Sequence, residues 1–276
     1  MSEKEALLKL LEDEDPKIAT IAIGKLLQYG PDIFPALRGL QESANPLLRK
    51  RVHQIEAILE KKINFSNFIE RIEKDEILIW EDLIYLNSIY YPELKPSELQ
   101  SSMEDAYKNL SASEFNTKSL CNYMKDKNYY VPKNDILDSG INLISSVLIN
   151  GEGSPLMLCI ISQLWGTRFS WPFQIVLHKG HHCLIDNNKM LIEPANNWKC
   201  SLIDEKIKAH PCTEKGLILT VIANLYLSAL VEGQLKILHT LSTLMSKISK
   251  TDLADFPYPI GKENENTLST NQNESC

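Results

Sequence analysis

From Leu156 to Phe169 the chain runs through an apolar segment interrupted by no proline and by no glycine except Gly166, directly after Gly153-Ser154-Pro155. A segment of that length and character fits a buried helix better than a strand. Its start is marked twice. Pro155 suits the first helical turn, where its missing N–H costs nothing, and Ser154 is placed to cap the helix. Phe173 to Leu177 then reads as a strand. His182 to Ile185 and Lys189 to Ile192 read as two more, joined by the turn Asp186-Asn187-Asn188. A buried helix feeding a small antiparallel sheet is an α+β arrangement. The rest of the chain has to be organised around it.

These residues resemble a known family. Gly153-x-Pro155-Leu156-x-Leu158, the long helix, Gly180-His181 and the acid-proline step at Glu193-Pro194-x-Asn196 are similar to the SirB-type transglutaminase-like proteins. Members of that family carry a degenerate relative of the papain and transglutaminase catalytic fold. Helical repeats often precede this fold, and a tetratricopeptide-like helix pair often follows it. The resemblance implies an α+β, predominantly helical fold: a transglutaminase-like core of one helix plus a small antiparallel sheet, flanked by helical-repeat segments.

The chemistry of that fold needs a thiolate at a helix N-terminus, where the helix dipole lowers its pKa. A His within hydrogen-bond reach acts as base, and an acid or amide orients the His. By resemblance His181 takes the position of the base and Glu193 that of the acid, with Glu in place of the usual Asp. The position of the nucleophile falls at Pro155 to Met157, and SirB-type relatives commonly carry Ser or Thr where this chain has Met157. Cys159 is the alternative nucleophile. It lies two residues further on, and two helical residues turn a side chain by roughly 200°, onto the opposite face. Ser154 offers a hydroxyl at the helix start. Against these readings stand bland ones, in which Cys159 is a small buried apolar residue and Ser154 a cap. Pro155, Met157, Asn196 and Trp198 are expected to line a groove at this site.

His178, His181, His182 and Cys183 invite a metal-site reading, but adjacent strand residues alternate between faces and cannot converge on one ion. No metal and no cofactor is expected. Trp165, Trp171 and Trp198 are read as core or groove fillers.

The charge balance, 29 Lys and Arg against 36 Asp and Glu for a net −7, disfavours a nucleic-acid partner. Arg49-Lys50-Arg51 reads as a solvated helix face. Hydrophobic content of 43% and charged content of 24% suit a soluble protein. No apolar run is read as approaching the ~20 residues of a membrane span, and no signal peptide is read at the start. The six cysteines, 121, 159, 183, 200, 212 and 276, show no tight framework and are expected to be reduced thiols in a cytoplasmic protein.

Five segments are expected. Residues 1–62 read as HEAT-like helical repeats, with x-Pro starts at Asp15-Pro16 and Asn45-Pro46 and apolar stripes through Ile18, Ile21, Ala22 and Leu26 and through Val52, Ile55 and Leu59. So short a stack calls for a neighbour to cover its end. Residues 63–130 are a helical connecting region, and 131–212 are the transglutaminase-like core. Residues 213–250 are a tetratricopeptide-like helical hairpin broken at Glu232-Gly233. Residues 251–276, rich in Asn, Glu, Ser and Thr, are expected to be a disordered tail. The function this implies is a catalytically inert transglutaminase-like protein that binds a protein partner. The alternative is a thiol-dependent hydrolase or acyltransferase using Cys159 with His181 and Glu193.

Overall fold

The structure, a computed structural model, describes residues 2–110, 115–133, 137–203 and 209–256. Most of the expected tail, from 257 on, lies outside the described residues. The chain divides into two compact units, Met1–Glu70 and Arg71–Cys276, and the division falls inside a helix rather than at residue 62.

The first unit is helical. It contains α1 (Glu3–Lys9), α2 (Pro16–Leu26), α3 (Phe34–Arg38) and the start of α4 (Pro46–Lys74). Both x-Pro starts open helices, and the Asp15 side chain caps α2 by accepting from the N–H of Lys17. Its core joins Leu7, Leu11, Ala22, Leu26, Ile33, Leu37, Leu48, Val52, Ile55 and Leu59. Two expectations need correction. The buried stripe of α2 runs through Ala19, Ala22 and Leu26, while Ile21 is 63% exposed. The helix is apolar on two faces, so periodicity alone does not choose between them. Arg51, read as solvated, is buried. Its guanidinium donates to the carbonyls of Leu11 and Asp13 at 2.7 and 2.6 Å. Carbonyls at a helix end lack intrahelical donors, and a buried Arg is stable only when such acceptors take its N–H groups.

The second unit is α+β and predominantly helical. After α4 come α5 (Ile79–Tyr90), α6 (Pro96–Asn109), α7 (Thr117–Asp126), α8 (Ile144–Asn150) and α9 (Pro155–Arg168). The sheet follows, with β1 (Phe173–His178), β2 (His181–Asp186), β3 (Met190–Glu193), β4 (Lys199–Leu202) and β5 (His210–Pro211). Its order is β4-β3-β2-β1-β5, with every pairing antiparallel. The first three strands match the sequence reading to within a residue or so. The two edge strands are additional: β5 is only two residues long, and β4 has no buried residue to mark a core face. The turn between β2 and β3 is held by Asp186, whose carboxylate accepts from the N–H groups of Asn188 and Met190 at 2.8 and 2.9 Å.

The last two α-helices among the described residues are α10 (Glu214–Glu232) and α11 (Leu235–Ser249), separated by Gly233 at φ +69°. That sign of φ is the reason for a glycine at this C-cap. By length and composition α10 could cross a membrane, which corrects the expectation that no apolar run approaches that length. Its packing supplies another reason for its composition: α10 lies against α5, α9 and α11, and a helix with several neighbours is apolar on most faces.

Candidate functional site

The site is organised by α9. Ser154 caps it, accepting from the N–H of Met157 at 3.3 Å, so its hydroxyl serves the helix start. The approach to this start is tight. The N–H of Ser154 donates to the carbonyl of Ile141 at 2.7 Å, and the N–H of Gly153 to that of Tyr130 at 3.2 Å. A Cβ on Gly153 would lie 2.7 Å from a methyl of Val147, so this glycine is required by close packing. Asn142 is buried and linked to Asp138 and to Asn224 of α10. It supports the loop before α8.

Two contacts identify the sheet face that meets the helices. A Cβ on Gly166 would lie 2.5 Å from the ring of Phe173, so the β1 side chain Phe173 sits against α9. The hydroxyl of Thr117, the first residue of α7, donates to the carboxylate of Asp186 on β2. Phe173 and Asp186 are register partners. Strand alternation then puts His182 and Leu184 on the helix side with Asp186, and His181 and Cys183 on the other. The second face has its own small cluster, in which Val176, Cys183 and Leu191 pack with Ile185, Ile203 and Ala209.

The candidate residues are therefore dispersed. Met157 and Cys159 are both 0% exposed within α9. His181 is exposed at the β1–β2 turn, on the face away from α9, and Glu193 is half-buried at the end of β3. Among the described residues, no hydrogen bond joins Cys159, His181 and Glu193. Of the groove residues, Pro155 is half-buried and Asn196 exposed, but Met157 and Trp198 are core. The indole of Trp198 donates to the carbonyl of Tyr129 at 2.7 Å, so it closes the interior and lines no groove. Trp165 is equally buried and donates to the sulfur of Met103 at 3.0 Å. Trp171 is half-buried, its indole 3.3 Å from the hydroxyl of Thr117. A cleft of about 620 Å³ exists elsewhere, lined by Tyr90, Tyr91, Glu93, Glu98, Ser145 and Ile149 among others. Among the described residues, no group of three or more His, Cys, Asp or Glu side chains is placed to hold a metal ion.

The electrostatics of the thiols separate them further. Burial pushes Cys159 well above the ordinary thiol range, with Cys183 and Cys212 reinforcing the shift. Cys183 is pushed up to about 11, by burial first and then by the carboxylate of Glu193. The acid expected to orient a histidine thus disfavours a thiolate on the sheet. The histidine facing the helices is His182, whose pKa is lowered by burial and then by His181.

One thiol moves the other way. Cys200 on β4 is brought down to about 7 by its hydrogen bond with Cys121 of α7, aided by the Lys125 ammonium and opposed by burial and Asp186. The two sulfurs are 2.8 Å apart. Nothing in the spacing of Cys121 and Cys200, 79 residues apart, pairs them. Only the packing of α7 under β3 and β4 does.

Comparison with family models, with curated proteins and with solved structures finds no match for this chain.

Proposed function

We propose that the chain is a catalytically inert protein of SirB-type, transglutaminase-like ancestry that works as a cytoplasmic protein-interaction or regulatory module. The observation that carries this reading is the complete burial of both Met157 and Cys159. A thioether cannot lose a proton. A thiol sealed in apolar surroundings, with its pKa raised, supplies almost no thiolate. Acyl transfer on this fold needs a nucleophile within hydrogen-bond reach of a base, and here His181 lies on the sheet face turned away from α9. An interaction role is in keeping with the exposed apolar side chains Leu227 and Val231, one turn apart on α10. The acidic balance favours a protein partner over nucleic acid.

The test is labelling of the native protein with iodoacetamide across pH, read residue by residue by mass spectrometry. Cys159 is expected to stay unmodified until the protein unfolds, and His181→Ala to change nothing. Rapid alkylation of Cys159 below neutral pH, lost in His181→Ala, would establish the thiol enzyme instead.

A further inference from the structure

We propose that Cys121 and Cys200 form a redox-active dithiol that exchanges with small-molecule disulfides and closes a reversible disulfide between α7 and β4. The inference is independent of the reading of the α9 site, since it uses none of Cys159, His181 and Glu193.

The geometry comes first. The Cys121 and Cys200 sulfurs are 2.8 Å apart. The other sulfur contacts on the sheet are to carbonyl oxygens at 3.7 to 3.9 Å, from Cys183, Cys200 and Cys212. The two thiols therefore face one another directly, with no intervening side chain. Their accessibility is unequal. Cys121 is buried, whereas Cys200 is half-exposed on β4, an edge of the sheet. An exchange pair needs this asymmetry: one sulfur that a solution disulfide can reach, and a second held behind it to resolve the intermediate.

The charges agree with those roles. Lys125 lies one helical turn beyond Cys121 on α7, and its ammonium favours the thiolate at both sulfurs, although Cys121 is raised on balance by the hydrogen bond with Cys200 and by burial. Cys121 is raised, first by the hydrogen bond with Cys200 and then by burial, whereas Cys200 is lowered and is the one solvent reaches, so Cys200 is the attacking group. Asp186 and burial act against ionisation of Cys200 and leave it near neutrality. A thiol whose pKa is close to ambient pH is the most effective in exchange.

The exchange balances without any further reagent. The Cys200 thiolate attacks one sulfur of a low-molecular-weight disulfide such as glutathione disulfide. A mixed disulfide forms on Cys200, and one glutathione thiolate leaves. Cys121 then attacks the Cys200 sulfur, giving its proton to the second departing glutathione. The protein is oxidised by two electrons, and glutathione disulfide is reduced to two glutathione molecules. The new bond ties α7 covalently to an edge strand whose one strand neighbour among the described residues is β3.

The experiment incubates the reduced, full-length protein with glutathione disulfide at neutral pH, followed by alkylation and peptide mapping. The expected product is a protein lighter by two hydrogens, with the Cys121 peptide linked to the Cys200 peptide and the linkage reversed by excess reduced glutathione. Cys121→Ser should stop at one stable glutathionyl group on Cys200. Cys121→Ala repeats the test if the buried hydroxyl perturbs folding, and the wild-type mapping depends on neither variant. Stable glutathionylation of both cysteines, initial exchange at Cys159, Cys183 or Cys212, or no loss of the Cys121 and Cys200 thiols on exposure to glutathione disulfide would each overturn the proposal.

Discussion

Arg71 lays its guanidinium against Asp82, with Nε 3.0 Å and Nη2 2.5 Å from the same carboxylate oxygen. The second oxygen accepts from the N–H of Leu78 at 3.1 Å, just before α5. Asp82 is fully buried, and burial raises its pKa despite the hydrogen bond and charge of Arg71. One carboxylate thus joins the last turns of α4 to the start of α5 and satisfies an orphan amide at a helix start. Removing it strands both partners. Asp82→Ala should lower stability by about 3 kcal/mol, the smaller end of the range for broken buried pairs because Arg71 retains some solvent contact. Urea unfolding measures this. A change below about 1 kcal/mol would mean that the pair is weakly coupled to folding.

Gly166 is the second place where one atom matters. A Cβ there would lie 2.4 Å from the carbonyl oxygen of Trp171 and 2.5 Å from the ring of Phe173. Neither is the flexible end of a side chain, so α9 and β1 would have to separate. Gly166→Ala gains helix propensity, worth about 1 kcal/mol, but overpacking of this severity costs about 3 kcal/mol. A net fall in stability of roughly 2 kcal/mol is expected, read as a lower thermal midpoint. Gly24, also in a helix, has nothing within 4 Å of its added Cβ, so Gly24→Ala should be neutral or stabilising.

His182 sets a pH dependence whose sign follows from its environment. Its folded pKa lies below the ordinary value of 6.5. The unfolded chain therefore binds the proton more readily, and stability contributed by neutral His182 is complete above about 6.5 and lost as pH falls through the folded pKa. His182→Gln should flatten the decline in stability below pH ~6.5 relative to the wild type. Equal slopes in the two proteins over that window would place His182 in a solvated setting.

Among the described residues, Cys200 should be the first thiol to react. With its pKa near 7, its alkylation rate should climb through neutral pH and level off about one unit above, while Cys159 and Cys183 stay silent. Lys125→Gln should shift that profile to higher pH by removing a positive neighbour. Once the Cys121–Cys200 bond is closed it encloses a long loop, and chain entropy then gives an upper bound of about 4.5 kcal/mol of stabilisation. Comparing denaturant midpoints of the oxidised and reduced protein checks this, and equal midpoints would indicate native strain that cancels the gain.

Local signals were enough to place the helix at Pro155–Arg168, its Ser154 cap, the three central strands and the break at Gly233. Each depends on neighbours in sequence: a fixed proline φ, a side-chain cap, strand alternation, a positive-φ glycine. The α+β class followed from the same signals. The face that each element buries was less legible. Ile21 and Ala22 adjoin on an ambiguous helix, and the choice between them lies with the helices packed alongside. Arg51 reads as surface because its two carbonyl acceptors, at Leu11 and Asp13, are distant in the chain. At the candidate site, alternation separates His181 from His182 but leaves open which of them meets the helices. Phe173 on Gly166 and Thr117 on Asp186 decide it, because they fix which side of the sheet α9 and α7 occupy. The pairing of Cys121 with Cys200 is tertiary altogether: two sulfurs far apart in sequence share a proton only because one helix is seated under one edge strand.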